Sequence, residues 1–420
     1  MAYLAPARRA VRASASVLYP VEMAPMACRG KRLLHESVTA KAHESVTVKA
    51  HESVTAKAIV TTKAHESVTK AVDVAHSQAS RAQQPPPFSS PQLGKMKPEH
   101  PPEHPSVKTS SANQLNILNQ IHKPEFYEAV AKIMDIRQQY IQDRFVFVKS
   151  RDMVPLVLGL GAKQHDMARL QLVSDNLRGD PTLPFRRTRN GRFCIDFDTN
   201  TLRRLEFQPF TLTVQEDFKR YDSGNIRRFD EVQDELQLNS VFQALFVFKA
   251  MVLHGISIAR RLKLQYDSNK WVCTLFSTRT FTNSDILGEP ALEGVHSDGV
   301  DHTMTSFLGS SNMAPNSAAT FLHDMAESTG IRLAETSPHH LLSRVQHRNF
   351  LDTLVVIDHE RKHSLSPVYS IDKSKEARRD MLVFFTRKPV EKTHVSGSMD
   401  SLTPHPDMPM EIPIFAPRSH

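Results

Sequence analysis

The last third of this chain reads as a run of short β-segments, and that run limits its fold more than any other feature. KWVCTLFSTRTFT, HTMTSFLGS, AATFLHD, DTLVVIDHE and DMLVFFTRKP follow one another between Lys270 and Pro389. Each is short and rich in β-branched or aromatic residues. The region before them has a different rhythm. QLNILNQIHKPEFYEAVAKIMDIRQQYIQD has helical spacing on both sides of Pro124, a residue that suits a helix start. RFVFVKS reads as a strand, and PTLPFRRTRNGRFCIDFD as a turn at Asn190-Gly191 followed by an alternating strand. FDEVQDELQLNSVFQALFVFKAMVLHGISIARRLKLQYD reads as one long helix or two. Its centre is apolar on nearly every face, which predicts burial. Arg260, Arg261 and Lys263 would then meet the negative end of the helix dipole. Helices first and strands after predict an α+β fold with a strand-built core.

The N-terminal part cannot belong to that core. HESVTAKA starts at His35 and recurs exactly at His51 and slightly altered at His43 and His65. Each unit offers one Val and a few Ala, too little apolar surface to offset the entropy of ordering. QQPPPFSSPQ and PEHPPEHP follow, and proline at this density excludes helix and sheet. Order is expected to begin near Gln114. The domain reading is a disordered basic tail over 1–110, a folded domain over 111–392 and a C-terminal tail over 393–420. Residues 1–20 carry three Arg and no acid, a composition that suits a mitochondrial transit peptide. Such a composition is also common by chance at N-termini, so the expected location is cytoplasmic, with the mitochondrion as the alternative.

The formal charge of +8 sits in the tail. Residues 1–110 hold 15 Lys+Arg against 8 Asp+Glu, and the rest holds 38 against 37. A nearly neutral folded part argues against a nucleic-acid groove. No apolar run reaches the length of a membrane span, since VFQALFVFKAMVLHG is interrupted by Gln243 and Lys249. Cys28, Cys194 and Cys273 are far apart and form no CxxC pair, which predicts reduced, mostly buried thiols.

The candidate chemistry lies in EGVHSDGVDH, residues 293 to 302. On a strand, His296 and Asp298 would project to the same side. An imidazole and a carboxylate are two of the three ligands of the facial triad that holds non-haem Fe(II). Gly299 lets the backbone bend away. Downstream, DTLVVIDHERKHSLSPVY supplies His363 after a strongly apolar strand, and ARRDMLVFF supplies Arg378 and Arg379 at the start of another. The order His-x-Asp, distal His, then Arg meets the needs of an iron and 2-oxoglutarate site. Three side chains hold the metal and leave positions for a keto acid and O2, and an arginine fork takes the far carboxylate. His302, His323, His339, His340, His347 and His359 are rival third ligands. Of these His359 is nearest to His363 and reads as exposed. Asp301 reads as a supporting residue, Thr280, Thr305 and Thr386 as core threonines or barrel-lining groups, and Arg279 as a salt-bridged or substrate-facing residue.

LGEPALEGVHSDGVDHTMT resembles the PEGxHxDGxD signature of the 2OG-Fe dioxygenases that include the bacterial L-isoleucine hydroxylases. LVVIDHERKHSLSPV and RRDMLVFFTR resemble that family's later stretches, so the likeness covers roughly residues 140–390. Two departures, Leu292 in place of the usual Pro and MAPNSAATFLHD in place of a glycine-rich segment, lie on the substrate side. The resemblance implies a double-stranded β-helix (jelly roll) core with flanking helices. It implies His296, Asp298 and His363 as metal ligands and Arg379 as the 2-oxoglutarate anchor, with Fe(II) as cofactor and O2 as the second co-substrate. The implied reaction is hydroxylation of a small-molecule substrate, a free amino acid before a natural-product precursor. A non-catalytic jelly-roll binding protein and a zinc hydrolase on the same ligands are the rival readings.

Overall fold

The computed structural model describes residues 114–216 and 219–416. The transit-peptide, repeat and proline-linker readings, and Cys28, lie outside the described residues. Five helices precede the strand-rich region: α1 (Pro124–Asp143), α2 (Ser150–Gly159), α3 (Gln164–Leu172), α4 (Asp234–Gln237) and α5 (Ser240–Leu253). The strands are β1 (Phe145–Val148), β2 (Arg178–Gly179), β3 (Arg186–Asp196), β4 (Thr201–Leu205), β5 (Asp230–Glu231), β6 (Lys270–Thr282), β7 (His302–Ser311), β8 (Thr320–His323), β9 (Leu341–Val345), β10 (Thr353–Ile357), β11 (Lys362–Leu365), β12 (Ala377–Arg387) and β13 (Glu411–Pro413). They form a ten-stranded sheet, with main path β1-β10-β7-β12-β6-β3-β4-β13, and a three-stranded sheet, β11-β8-β9. Every pairing is antiparallel except that of β3 with β5. This is a jelly-roll-like arrangement.

The two faces of the large sheet have separate tasks, set by the period-two alternation of side chains. On β12, Leu382 and Phe384 join the main core, whereas Met381, Val383 and Phe385 line a cavity. On β7, Met304 and Leu308 face the core, and Thr303 and Thr305 face the cavity. The core face is covered by α5, every residue of which is buried. The sequence predicts that burial, and the rings of Phe242, Phe246 and Phe384 meet edge to face or stacked. Asn239 caps the helix by accepting from the N–H groups of Val241 and Phe242. Lys249 is tolerated inside because its Nζ donates to the Phe384 carbonyl (2.9 Å) and lies over the Phe384 ring. Cys194 and Cys273 are buried free thiols, as expected.

Several local expectations are corrected. Asn190-Gly191 is no turn: both residues lie within β3 and pair with Phe276 and Leu275 of β6. Gly191 answers to a close approach instead, since a Cβ there would lie 2.7 Å from Val232. The apolar stretch before β6 is two helices, and the second stops at Leu253. Arg260, Arg261 and Lys263 therefore follow in irregular chain and do not cap it; the Arg261 guanidinium donates to the Glu216 carbonyl. The segment after 393 is more than a tail. Glu411–Pro413 forms β13 against β4, and Met410, Ile412 and Ile414 are core residues. Their apolar spacing is short, so it carried little signal against the surrounding prolines. Strands β9 and β11 were missed because LLSRV and KHSL are short and half polar.

Candidate metal centre

His296 lies in no regular strand, contrary to expectation. It forms an isolated antiparallel bridge with His363. The His296 N–H donates to the His363 carbonyl (2.9 Å) and the His363 N–H to the His296 carbonyl (2.8 Å). One bridge thus joins the two motifs across 66 intervening residues, and the extended backbone still puts His296 and Asp298 on one side. Nε2 of His296 and Nε2 of His363 stand 3.5 and 3.6 Å from Oδ1 of Asp298. One ligand atom from each of the three lies within 4.8 Å of the others, and among the described residues this is the one such group of His, Cys, Asp and Glu. The side chains are nearly enclosed, with exposures of 6%, 12% and 11% for His296, Asp298 and His363.

The surrounding hydrogen bonds select the ligand atoms. Nδ1 of His296 faces the Gly294 carbonyl at 2.9 Å, so it carries the proton and leaves the Nε2 lone pair toward the centre. Thr303 donates its hydroxyl to Oδ2 of Asp298 (2.7 Å), leaving Oδ1 between the imidazoles. Burial opposes charge on these groups, but mutual attraction wins. Against the burial penalty, Asp298 and then Glu293 raise the pKa of His296 to about 9. The same burial favours a protonated Asp298, yet His363 and His296 hold its carboxyl far below the usual range. A buried carboxylate that draws a proton onto the His296 imidazole also fits a divalent cation, which would take the place of that proton. Two nitrogens and one oxygen on one side match the ligand set of non-haem Fe(II).

Asp358, at the end of β10, sets the bend that carries Asp298. Its buried carboxylate accepts from the backbone N–H groups of Asp298 (2.7 Å), Gly299 (2.9 Å) and Val300 (3.2 Å). Gly299 has φ +83, and a Cβ would meet the Glu216 carbonyl at 2.7 Å. Sequence reasoning missed this role for Asp358; an acid directly after the apolar run 354–357 was the signal available. Burial, and then Asp298, push its pKa up to about 6.

The centre opens into the cavity between the two sheets, about 1180 Å³ including its solvent-open mouth. Arg379 lines it from β12 and is 5% exposed. Among the described residues no carboxylate pairs with it, and burial alone lowers its pKa to about 10. Arg378, next to it, is only half-buried and does not line the cavity. Arg279 is turned away into ion pairs with Asp380 and Asp175. Thr280 and Thr305 line the cavity, whereas Thr386 does not. Asp301 is structural, accepting from Tyr266 Oη (2.6 Å) and the Lys388 N–H (2.9 Å). None of the rival histidines, His302, His323, His339, His340, His347 or His359, joins the cluster. His359 is half-buried rather than exposed, its Nε2 2.5 Å from the Ala259 carbonyl.

The chain is similar to several known proteins. The family model described as 2OG-Fe dioxygenase matches residues 171–385. The bifunctional enzyme flvA of Aspergillus flavus is 46% identical over 301 residues, 72% of this chain. The chain spans 37% of that enzyme's length. The solved structure of the selenomethionine-labelled Fe(II)/α-ketoglutarate-dependent dioxygenase TqaL is 56% identical with a TM-score of 0.61, over 69% of this chain and 98% of that one.

Proposed function

The chain belongs to the 2OG-Fe dioxygenase family, and on that premise we propose that His296, Asp298 and His363 hold its iron, that Arg379 anchors its co-substrate, and that it hydroxylates a small free amino acid. The observation that carries the site assignment is the convergence of the three ligand atoms within 4.8 Å at the inner end of a cavity lined by the enclosed Arg379. The protein is an oxidoreductase that uses Fe(II), 2-oxoglutarate and O2. These supply the oxidising power: the keto acid leaves as succinate and CO2, and one oxygen atom enters a substrate C–H bond.

The side chains bind, orient and exclude water. His296 and His363 offer Nε2, and Asp298 offers Oδ1. The Gly294 carbonyl, Thr303 and Asp358 fix the orientation of these ligands before metal arrives. Metal binding would displace the proton from Nε2 of His296, since a protonated nitrogen has no lone pair to give. Arg379, buried without a carboxylate partner among the described residues, gains one when the distal carboxylate of 2-oxoglutarate enters. Phe276, Met381, Val383 and Phe385 keep the inner cavity apolar.

The substrate reading follows from the charged part of the cavity lining. Arg186, Arg220 and Arg227 line it together with Glu293, and Arg220 bridges Asp222 and Glu293. Groups of both signs around an apolar interior suit a small zwitterion, including the aliphatic amino acids of the L-isoleucine hydroxylase resemblance. The test is a panel of free amino acids assayed for succinate formation coupled to substrate loss. An amino acid that is consumed one for one with succinate supports the reading. If only succinate uncoupled from every amino acid is seen, the substrate is a different small molecule, such as a natural-product precursor.

A further inference from the structure

A second cavity lies on the other face of the large sheet. On β6, Phe276, Thr278 and Thr280 line the cavity of the candidate metal centre, whereas Trp271, Cys273 and Leu275 face the core. Trp271 is near the start of β6, Lys388 directly follows β12, and Phe197 follows β3. Since β12, β6 and β3 are antiparallel neighbours, these three residues stand at one end of the sheet. The chain between α5 and β6 closes over that end. The space enclosed is about 740 Å³ including its solvent-open mouth.

Its lining combines apolar and cationic groups. Phe197, Ile256 and Ile258 pack against the main core and give the cavity an apolar wall. Lys388 and Arg260 line it too, and no Asp or Glu does. Lys388 is 7% exposed. Its Nζ donates to the Ser268 carbonyl (2.6 Å) and lies 4.1 Å from the centre of the Trp271 ring. A carbonyl and a ring offset part of the cost of burying an ammonium, but neither carries a charge. An ammonium also has three N–H groups to place. Among the described residues no carboxylate makes an ion pair with it. Burial pulls its pKa down to about 8, against the pull of Asp301 and Asp198. Arg260 lies over the Tyr266 ring (5.6 Å) and likewise makes no ion pair among the described residues. With α5 ending at Leu253, it has no helix end to meet either.

Two cations without counter-charges beside an apolar wall call for an anion with an apolar part. We propose that this cavity is a second binding site, separate from the metal centre, for a small carboxylate with an apolar body. The carboxylate pairs with Lys388, and Arg260 adds positive charge at the mouth. The body lies against Phe197, Ile256 and Ile258. None of this depends on the iron or co-substrate assignments.

Trp271 is the chain's single tryptophan and lines this cavity, so its fluorescence reports on the site directly. The experiment is a fluorescence titration of the full-length, metal-free protein, repeated by calorimetry. The probes are hexanoate, hexanamide (the same body without the charge) and acetate (the same charge without the body). Hexanoate is expected to give a saturable change, with hexanamide and acetate each about tenfold or more weaker. Lys388→Met keeps the stem and removes the ammonium. It is expected to weaken hexanoate about tenfold or more and to leave hexanamide unchanged, and Arg260→Met to weaken hexanoate about threefold. Arg379→Ala, in the other cavity, leaves hexanoate binding as in the parent. No saturable change up to about 10 mM hexanoate overturns the proposal, as does hexanamide binding as well as hexanoate. Loss of hexanoate binding in Arg379→Ala would put the carboxylate in the other cavity and overturn it equally. If Lys388→Met fails to fold, the three probes on the parent and Arg260→Met still decide.

Discussion

Replacing Asp358 by Asn keeps the side chain's size and removes its charge. The carboxylate now accepts three backbone N–H groups, one on Oδ1 and two on Oδ2. An amide has one accepting oxygen, so at least one of those N–H groups would face an NH2 donor. A hydrogen bond to a charged acceptor contributes about 1.5–3 kcal/mol, and one to a neutral acceptor about 0.5–1.5 kcal/mol. One bond lost and the remainder weakened therefore removes roughly 3–5 kcal/mol from the bend at 298–300. Part is returned, because a buried carboxylate beside Asp298 is itself costly, as its raised pKa of about 6 indicates. A net of about 1–2 kcal/mol remains, which corresponds to a roughly 5- to 30-fold loss of iron affinity if the bend must be ordered to bind metal. Anaerobic iron titration of Asp358→Asn measures this, with the melting temperature of the metal-free protein as control. Iron affinity within about threefold of the parent would refute the idea that Asp358 holds the ligand loop in place. A fall in melting temperature with unchanged affinity would make it a core residue only.

His296→Ala, Asp298→Ala and His363→Ala are each expected to abolish turnover while thermal melts stay close to the parent; full iron-dependent activity in His363→Ala would reopen the third ligand, with His359 first to test. Arg379→Ala should raise the 2-oxoglutarate requirement roughly 10- to 150-fold through loss of a charge-assisted pair, and Arg379→Lys should rescue it only in part. Arg378→Ala, on the other face of β12, should change that requirement little, and the reverse pattern in apparent affinities would mean that the register of β12 is off by one. A chain beginning at residue 111 is expected to fold and turn over, as soluble yield and succinate formation would reveal.

The grouping of His296, Asp298 and His363 was legible because it is carried by short-range pattern. His-x-Asp needs only an extended backbone, and the isolated bridge at His296 supplies that as well as a full strand would. The five later strands were legible from their density of β-branched and aromatic residues, and α5 from an apolar run with no polar face. What failed depends on long-range contacts. Gly191 follows Asn190 as in a hairpin turn, but the approach of Val232 and Arg204 keeps it in mid-strand. β13 consists of Glu-Ile-Pro and exists only because β4 offers an edge. Asp358 and Thr303 act through partners 58 to 60 and 5 residues away, so only the Thr303 contact is within reach of a local pattern.

The proposed reaction couples oxidation of a small molecule to 2-oxoglutarate decarboxylation at iron held by His296, Asp298 and His363. The most direct test is succinate formation by the iron-loaded protein in the presence of O2, with and without 2-oxoglutarate, in the parent and in Asp298→Ala. Succinate is expected to require iron, O2 and 2-oxoglutarate together and to disappear in Asp298→Ala. Undiminished succinate in Asp298→Ala, or none from the iron-loaded parent, would contradict it.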